Sequence, residues 1–405
     1  MEEKPFDGFS QGKERSPERM RLERIELKGF RSVSPRSPAE IDVGDVTVLL
    51  GANGAGKSNL VLFFKMLGFM MTSSLQNFVG RQGVSQLLFH GPKATESLEF
   101  TLHFSSETVR NTYGVKLSFG LPGRLFVSGE SVTHFREEYD QPQEYFLSAG
   151  RNEVSIKEDT RKTSQVIAGF LSGVRAYQFH DTSDAAHIRG RSYVDDSKHL
   201  LSDGGNLAAF LKRLKESDEF RPYYERIVRH VRRVMPQFGD FMLESLSDNE
   251  RYVRLNWRDA WGNDYLFGPD QLSDGSLRFM ALAALFLQPP QLMPGVLVVD
   301  EPELGLHPAA IVELAGMVRI AAQNTQVFWA TQSPRLHVWW MNFLPSSCSS
   351  SSLISRNNVP CSAAWMRRHC KSGWSGIGLQ TLRSRCGHFN AWISRLESLD
   401  SASAE

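Results

Sequence analysis

The chain has 405 residues, 41% of them hydrophobic and 22% charged, with a formal net charge of +1. That length can bury a substantial core, and the balance is that of an ordinary globular protein. It excludes a whole-protein nucleic-acid footprint; no apolar run reaches the length of a membrane span, and "MEEKPFDGFSQGKERSPERM" lacks a signal-peptide core. The expectation is a cytoplasmic protein without membrane contact.

Residues 1–19 are polar and aperiodic and read as a disordered extension, which makes Met20 a candidate start. "MRLERIELKGFRSV" then places Leu22, Ile25 and Leu27 in a first strand. "VTVLL" (Val46–Leu50) is a continuous apolar run, the pattern of a parallel strand buried on both faces. A glycine-rich turn and "NLVLFFKMLGFMM", a buried helix, follow. "LEFTLHF", "TYGVKLSF" and "RLFVSG", within residues 97–135, alternate apolar and polar positions and predict antiparallel strands with one wet face. From Asn206 to Phe238 the period is helical, without the heptads of a coiled-coil arm. "RYVRLNW" resumes as a strand, "GSLRFMALAALFL" as an apolar helix and "GVLVVD" as a buried strand. "HPAAIVELAGMVRIAA" closes as a helix and "TQVFWAT" as a last strand. Strands alternating with helices around a glycine loop predict a largely parallel α/β sheet with an antiparallel annex.

"GANGAGKS" (Gly51–Ser58) fits the phosphate-loop pattern GxxxxGK[ST]. In this reading Gly51, Ala52, Asn53, Gly54, Ala55, Gly56, Lys57, Ser58 and Asn59 surround the phosphates of ATP. Gly54 and Gly56 let backbone N–H groups turn inward at the positive end of the next helix. Lys57 reaches the β- and γ-phosphates, and Ser58 offers its hydroxyl to Mg²⁺. A flexible glycine turn is the bland alternative, and the strand before and helix after speak against it.

"VLVVDEPELGLHP" (Val296–Pro308) ends a buried strand in two acids, which is costly unless a cation or substrate meets them. Asp300 would hold Mg²⁺, directly or through water, and Glu301 would polarise the attacking water. An acidic turn is the simpler reading in isolation; beside Lys57 the chemical one prevails. In "QLSDGSLRFMALA", Ser273 and Gly275 stand where a loop becomes a helix, so hydroxyl and N–H groups converge on an anion site. A plain helix cap by Ser273 or Asp274 explains that segment equally well.

Together, "GANGAGKSN", "LSDGSLR" and "DEPELGLHP", in this order and spacing, resemble the ABC-type ATPase heads of the RecF and SMC group, especially small stand-alone RecF-like AAA family ATPases. "MRLERIELKGFRSV", "FHDTS" and "DGGNLAAFL" match as well, so the likeness spans roughly residues 20–336. It implies a P-loop NTPase of ABC-ATPase type, mostly parallel, with an antiparallel β annex and a helical insert. The implied division is an extension (1–19), a first ATPase lobe (20–165), a helical insert lobe (166–265), a second ATPase lobe (266–336) and an aberrant tail (337–405).

The resemblance also implies chemistry. ATP, with Mg²⁺, would be hydrolysed to ADP and phosphate in a head-to-tail homodimer formed on ATP binding. Ser273, Asp274 and Gly275 of one copy would face the phosphate loop of the other, and Leu304–His307 would cross that interface. Glu301, Lys57 and Gln332 form the implied catalytic set. Gln332 lies in "ATQSP", where many relatives carry histidine; it can hydrogen-bond a γ-phosphate without charge, so slow turnover is expected. A glutamine contacts the metal in such heads, and Gln76, Gln82 and Gln86 all remain open.

For nucleic acid, "ERIVRHVRRVM" carries Arg226, Arg229, Arg232 and Arg233, a basic stripe for phosphates or, equally, a solvated helix face. Arg189 and Arg191 form a second candidate. The expected roles are DNA repair or recombination, or defence against phage. The alternative is an ATP-state sensor that gates a separate nuclease or toxin without touching DNA. A transporter subunit is a third class, which the annex strands, "FHDTS" and Gln332 match less well.

The tail departs from this pattern. His337 to Leu396 contain no Asp or Glu, against 42 in the first 336 residues. Five of the eight tryptophans and all four cysteines (Cys348, Cys361, Cys370, Cys386) lie there. With acids at about an eighth of ordinary chains, such a run arises by chance on the order of a few times in ten thousand. A basic nucleic-acid tail is one reading; a metal site through Cys361, His369, Cys370 and Cys386 is another, but the spacing lacks a CxxC pair. The preferred reading is a frameshift near Leu336. So few acids exclude a TOPRIM nuclease in the tail. Translation of the coding DNA in the other two frames should yield an acidic, strand-like continuation after "TQSP"; its absence from both would end the frameshift reading.

Overall fold

The computed structural model describes residues 20–51, 54–121, 123–136, 141–246, 249–262, 265–332 and 352–353. The predicted extension, 1–19, and all of the 337–405 tail except Ser352 and Leu353 lie outside them. In chain order, β1 (Arg21–Lys28), β2 (Ala39–Asp42) and β3 (Val46–Leu50) precede α1 (Lys57–Met71), α2 (Leu75–Gln82) and α3 (Val84–Leu87). Next come β4 (Ser97–Ser105), β5 (Val109–Gly120), β6 (Arg124–Arg136), β7 (Gln143–Ser148), α4 (Lys162–Ser172) and β8 (Val174–Tyr177). β9 (Arg191–Tyr193), α5 (Leu207–Glu216) and α6 (Arg221–Val234) lead to β10 (Phe238–Met242), β11 (Ser245–Leu246), β12 (Asn249–Arg254) and β13 (Asn256–Asp259). α7 (Asp274–Leu287), β14 (Val296–Asp300), α8 (Pro308–Ala321), β15 (Gln326–Thr331) and β16 (Ser352–Leu353) complete the order.

Two sheets carry the fold. One is parallel throughout, in the order β16-β3-β15-β14-β8. Its central strands β3, β14 and β15 are buried along nearly their whole length because both faces are covered. Val46, Val48, Leu297, Val299, Val327 and Trp329 share a core with α5 to α8. Leu49, Val296, Val298, Phe328 and Ala330 point the other way, into a core with α1 and the antiparallel sheet. That second sheet, β2-β1-β4-β5-β6-β7, has six strands to the parallel sheet's five, so the expected annex is a full layer. Its strands alternate as predicted: Leu98, Phe100, Leu102 and Phe104 of β4 are buried, and the residues between them are half-buried.

α1 is apolar nearly all round because it lies against both sheets. Phe63 meets Phe100 edge-on at 5.2 Å, and Phe64 tilts onto Phe328 at 4.6 Å. Burying each ring contributes roughly 1.5–3 kcal/mol. The helical stretch predicted from 206 to 238 is two helices: the chain turns at 217–220, Pro222 sits in the first turn of α6, and Phe238 already belongs to β10. Residues 166–265 therefore supply β8 to the parallel sheet, and β9 to β13, besides helices.

A buried side chain ties the sheets together. Gln326, the first residue of β15, accepts from the Leu22 N–H at 2.8 Å and donates to the Leu22 carbonyl at 2.9 Å and that of Gly44 at 3.2 Å. It pairs β1 as a neighbouring strand would. Gln326→Leu keeps much of the volume and orphans both backbone groups of Leu22, so it should lower unfolding free energy by about 2–4 kcal/mol. A urea titration is expected to show a lower midpoint at unchanged slope.

Candidate functional site

Adjacent parallel strands end at one edge, in the register Leu50↔Thr331, Ala330↔Asp300 and Val299↔Tyr177. That edge is where open α/β sheets place ligands. The glycine loop leaves β3 there. Gly54 and Gly56 adopt φ of 79° and 103°, a region costly for residues with a Cβ, and Gly56 is the N-cap of α1. No acid occupies the first turn of α1, so its unpaired N–H groups are not neutralised from within. Lys57 is buried, and its Nζ donates to the Gly51 carbonyl across the mouth of the loop. Ser58 is exposed, and Asn59 Nδ2 donates to Ser32 Oγ at 2.7 Å. Ala52 and Asn53 lie outside the described residues.

The acid pair ends β14. Asp300 is 6% exposed, and its Oδ2 accepts from Gln178 Nε2 at 2.9 Å. Lys65 Nζ donates in turn to Gln178 Oε1 at 2.6 Å. Burial lowers the Lys65 pKa, while the charge of Asp300 pulls it back up. Lys65 and Gln178 escaped the sequence reading because nothing local marks them: one lies inside an apolar helix, the other between β8 and "FHDTS".

Glu301 turns into positive φ, at 43°, while its N–H still donates to the Ala330 carbonyl at 2.8 Å. Its carboxylate accepts from Gln332 Nε2, so two members of the predicted catalytic set hold each other. Glu303 was also missed. It accepts from Trp329 Nε1 at 3.1 Å and from Thr331 Oγ1, fastening the loop after β14 to β15.

Ser273 performs the cap that the sequence allowed, accepting from the Ser276 N–H at 3.2 Å. Ser273 and Asp274 are nonetheless exposed. A Cβ on Gly275 would lie 2.6 Å from the Gly305 carbonyl oxygen, so only glycine allows this approach to the loop after β14. Arg278, one turn on, is buried and lowered in pKa by desolvation; it donates to the carbonyls of Phe179 (2.7 Å), His180 (3.1 Å) and Leu304. Arg189 corrects an expectation: it is 5% exposed, and not part of a basic surface. It donates to the carbonyls of Thr182, Pro269 and Leu272 and to Asp274 at 2.8 Å, clamping the loop before α7.

Among the three glutamines, Gln76 has committed its amide, donating to the carbonyls of Leu125 and Asn152, both at 2.7 Å. Gln82 is half-buried and Gln86 exposed. Gln86 precedes Leu87, whose carbonyl accepts from the Arg31 N–H at 2.8 Å, next to the Ser32 that holds Asn59. On α6, Arg233 donates to Glu313 at 2.8 Å, Arg226 lies 5.4 Å from the Tyr223 ring centroid, Arg229 is exposed and Arg232 donates to the Gly239 carbonyl. Leu304 and His307 are exposed.

Glu303 carries a sign that can be tested. Burial raises its pKa above 4.5, so the folded state binds its proton more tightly than the unfolded one. Stability from this group is present at low pH and is lost as pH rises from its unfolded value through the raised folded one. In Glu303→Gln that dependence should vanish, leaving a flatter denaturant midpoint above about pH 4.5 than in wild type. Identical pH profiles for the two proteins would contradict it.

The chain is similar to the Smc head domain with an extended coiled coil derived from Pyrococcus furiosus, solved bound to the C-terminal domain of ScpA: 15% identity, TM-score 0.50, 87% of this chain and 99% of that one. It is also similar to the SMC head domain from Thermotoga maritima, at 16% identity and TM-score 0.39, covering 84% and 98% of the two chains. At 15% identity the likeness to the Pyrococcus furiosus head is one of fold, that of a P-loop ABC-type ATPase head. No curated protein matches the chain. Among the described residues, no helix is long and apolar enough to cross a membrane. Residues 46–338 match the AAA_21 model, described as "AAA domain, putative AbiEii toxin, Type IV TA system", and the chain belongs to that family.

Proposed function

We propose that the chain binds and hydrolyses ATP at the edge formed by β3, β14 and β15, in a head-to-tail dimer. The observation that carries this reading is the convergence there of a buried Lys57 on a left-handed glycine loop with Asp300, Glu301 and Gln332. Phosphates would accept from the N–H groups at the start of α1, and Lys57 would exchange the Gly51 carbonyl for β- and γ-oxygens. The donors suit Mg²⁺: one hydroxyl (Ser58) and one carboxylate (Asp300), completed by phosphate oxygens and water. Among the described residues no cluster of three or more His, Cys, Asp or Glu offers a metal cage, which fits that mode of binding. When bound, Mg²⁺ neutralises charge on the β- and γ-oxygens. Glu301 orients the attacking water once Gln332 releases it to face the γ-phosphate.

Ser273, Asp274 and Gly275, at the exposed start of α7, would complete the site of a second copy, with Leu304 and His307 at the same interface. Of the glutamines, Gln86 is the one we assign toward the metal, since its backbone neighbours meet the segment that holds Asn59.

Two biological readings follow: DNA repair or recombination, and ATP-state control of a separate effector in defence. The description of the matching family as a putative AbiEii toxin of a Type IV TA system favours the second. Arg226 and Arg229, with Arg233 if Glu313 releases it, are the phosphate contacts that the first would use. DNA stimulation of the ATPase that falls with salt would select the repair reading.

Lys57→Ala should abolish ATP binding. Glu301→Gln should bind ATP, turn over roughly 10²-fold more slowly or worse, and accumulate as a dimer. Light scattering with and without ATP reads this directly, and a Glu301→Gln protein that stays monomeric with ATP would sink the dimer reading.

A further inference from the structure

We propose that Gln178 is a positioning residue for Asp300: its amide, backed by Lys65, holds one carboxylate oxygen of Asp300 and leaves the other free to face a divalent cation. This rests on the reading of Asp300 as the metal-holding acid.

The orientation of the amide follows from its neighbours. An ammonium can only donate, so the carbonyl oxygen of Gln178 must face Lys65 Nζ, at 2.6 Å. The –NH₂ group then faces Asp300 Oδ2, at 2.9 Å, as a charged carboxylate requires of its donor. The flipped amide would set nitrogen against ammonium and oxygen against carboxylate. Lys65 thus fixes the amide, and the amide fixes Asp300.

A lysine placed directly on Asp300 would form an ion pair and compete with a cation for both oxygens. The interposed neutral amide removes the rotational freedom of the carboxylate without neutralising it, and occupies a single oxygen. The segment bearing Gln178 cannot swing away easily. His180 Nε2 meets the Asp300 carbonyl at 3.0 Å, and Arg278 holds the carbonyls of Phe179 and His180. Lys65 lies on α1, the helix that begins at Lys57, so one amide links the phosphate-loop helix to the acid strand across 113 and 122 residues of sequence.

The test uses Mn²⁺ as an EPR-visible cation bound to the full chain with a non-hydrolysable ATP analogue. Gln178→Leu should weaken Mn²⁺ roughly tenfold or more, the size expected when a partner orienting a metal ligand is lost. Nucleotide affinity in chelator should stay within about twofold, because Gln178 is not assigned a phosphate contact. Lys65→Met should weaken Mn²⁺ in the same direction by a smaller factor, and adding it to Gln178→Leu should change nothing further, since Lys65 acts through the amide. Gln178→Asn, too short to span both partners, serves if Gln178→Leu does not fold, with thermal melting as the check. Wild-type Mn²⁺ affinity in the Gln178 variants, while Asp300→Asn loses the ion, overturns the positioning role. An equal loss of metal-free nucleotide affinity overturns it too, by showing a merely structural part. Wild-type Mn²⁺ affinity in Asp300→Asn overturns the metal reading of Asp300 and this inference with it.

Discussion

A carboxylate closing a fully buried strand is the constraint around which this edge of the molecule is organised. Val296 to Val299 are almost completely inaccessible to water, and Asp300 follows them directly. Leaving such a charge without partners costs several kcal/mol, comparable to the whole net stability of a domain, about 5–15 kcal/mol. The structure answers with polar groups at the rim of the sheet: the half-buried Gln178 amide on the carboxylate, the His180 ring on the main-chain carbonyl, and Lys65 behind the amide. The chain of hydrogen bonds runs from the buried carboxylate through the half-buried amide to the half-buried Lys65.

Two arginines extend this order to the loop before α7. Arg278 and Arg189 are nearly inaccessible, yet a guanidinium has five donors and is always charged. Backbone carbonyls absorb most of those donors: Phe179, His180 and Leu304 for Arg278, and Thr182, Pro269 and Leu272 for Arg189. These carbonyls belong to three loops that would otherwise have little in common. With Gly275 backed onto Gly305, the segments 178–182, 269–275 and 301–305 form one hydrogen-bonded unit. The exposed serine at the head of α7 and the acids at the end of β14 are mechanically joined within a single chain, although neither touches the other.

What the sequence showed, and what it hid, divides along the range of the interactions. β3, β14 and β15 were readable because a strand buried on both faces needs apolar residues at every position, and β4 to β6 because a half-wet sheet needs alternation. The left-handed glycine loop and the acids closing β14 were readable as structural features because each is signalled within a few adjacent positions. Gln326 was not, since its partner Leu22 lies 304 residues away and a lone glutamine opening a strand carries no local signal. Arg189 misled for a related reason. Beside Arg191 it reads as a surface cation, and only the tertiary arrangement of four acceptors turns it inward. The helical period from 206 to 238 likewise cannot distinguish one long helix from two that break at 217–220.

The neutral side chain at 332 fits the geometry of its partner. Glu301 occupies a left-handed conformation that costs about 1–2 kcal/mol for a residue with a Cβ, while its N–H keeps the register of β14 against β15. That combination turns its carboxylate toward the end of β15, where Gln332 stands. A protonated histidine there would form an ion pair with Glu301 and resist parting from it. An amide donates a single hydrogen bond, net roughly 1.5–3 kcal/mol toward a charged acceptor, which a phosphate oxygen or a water can replace. Glutamine at this position therefore holds the acid in a defined place without cancelling its charge, so the strain at Glu301 and the neutrality of Gln332 belong to the same arrangement.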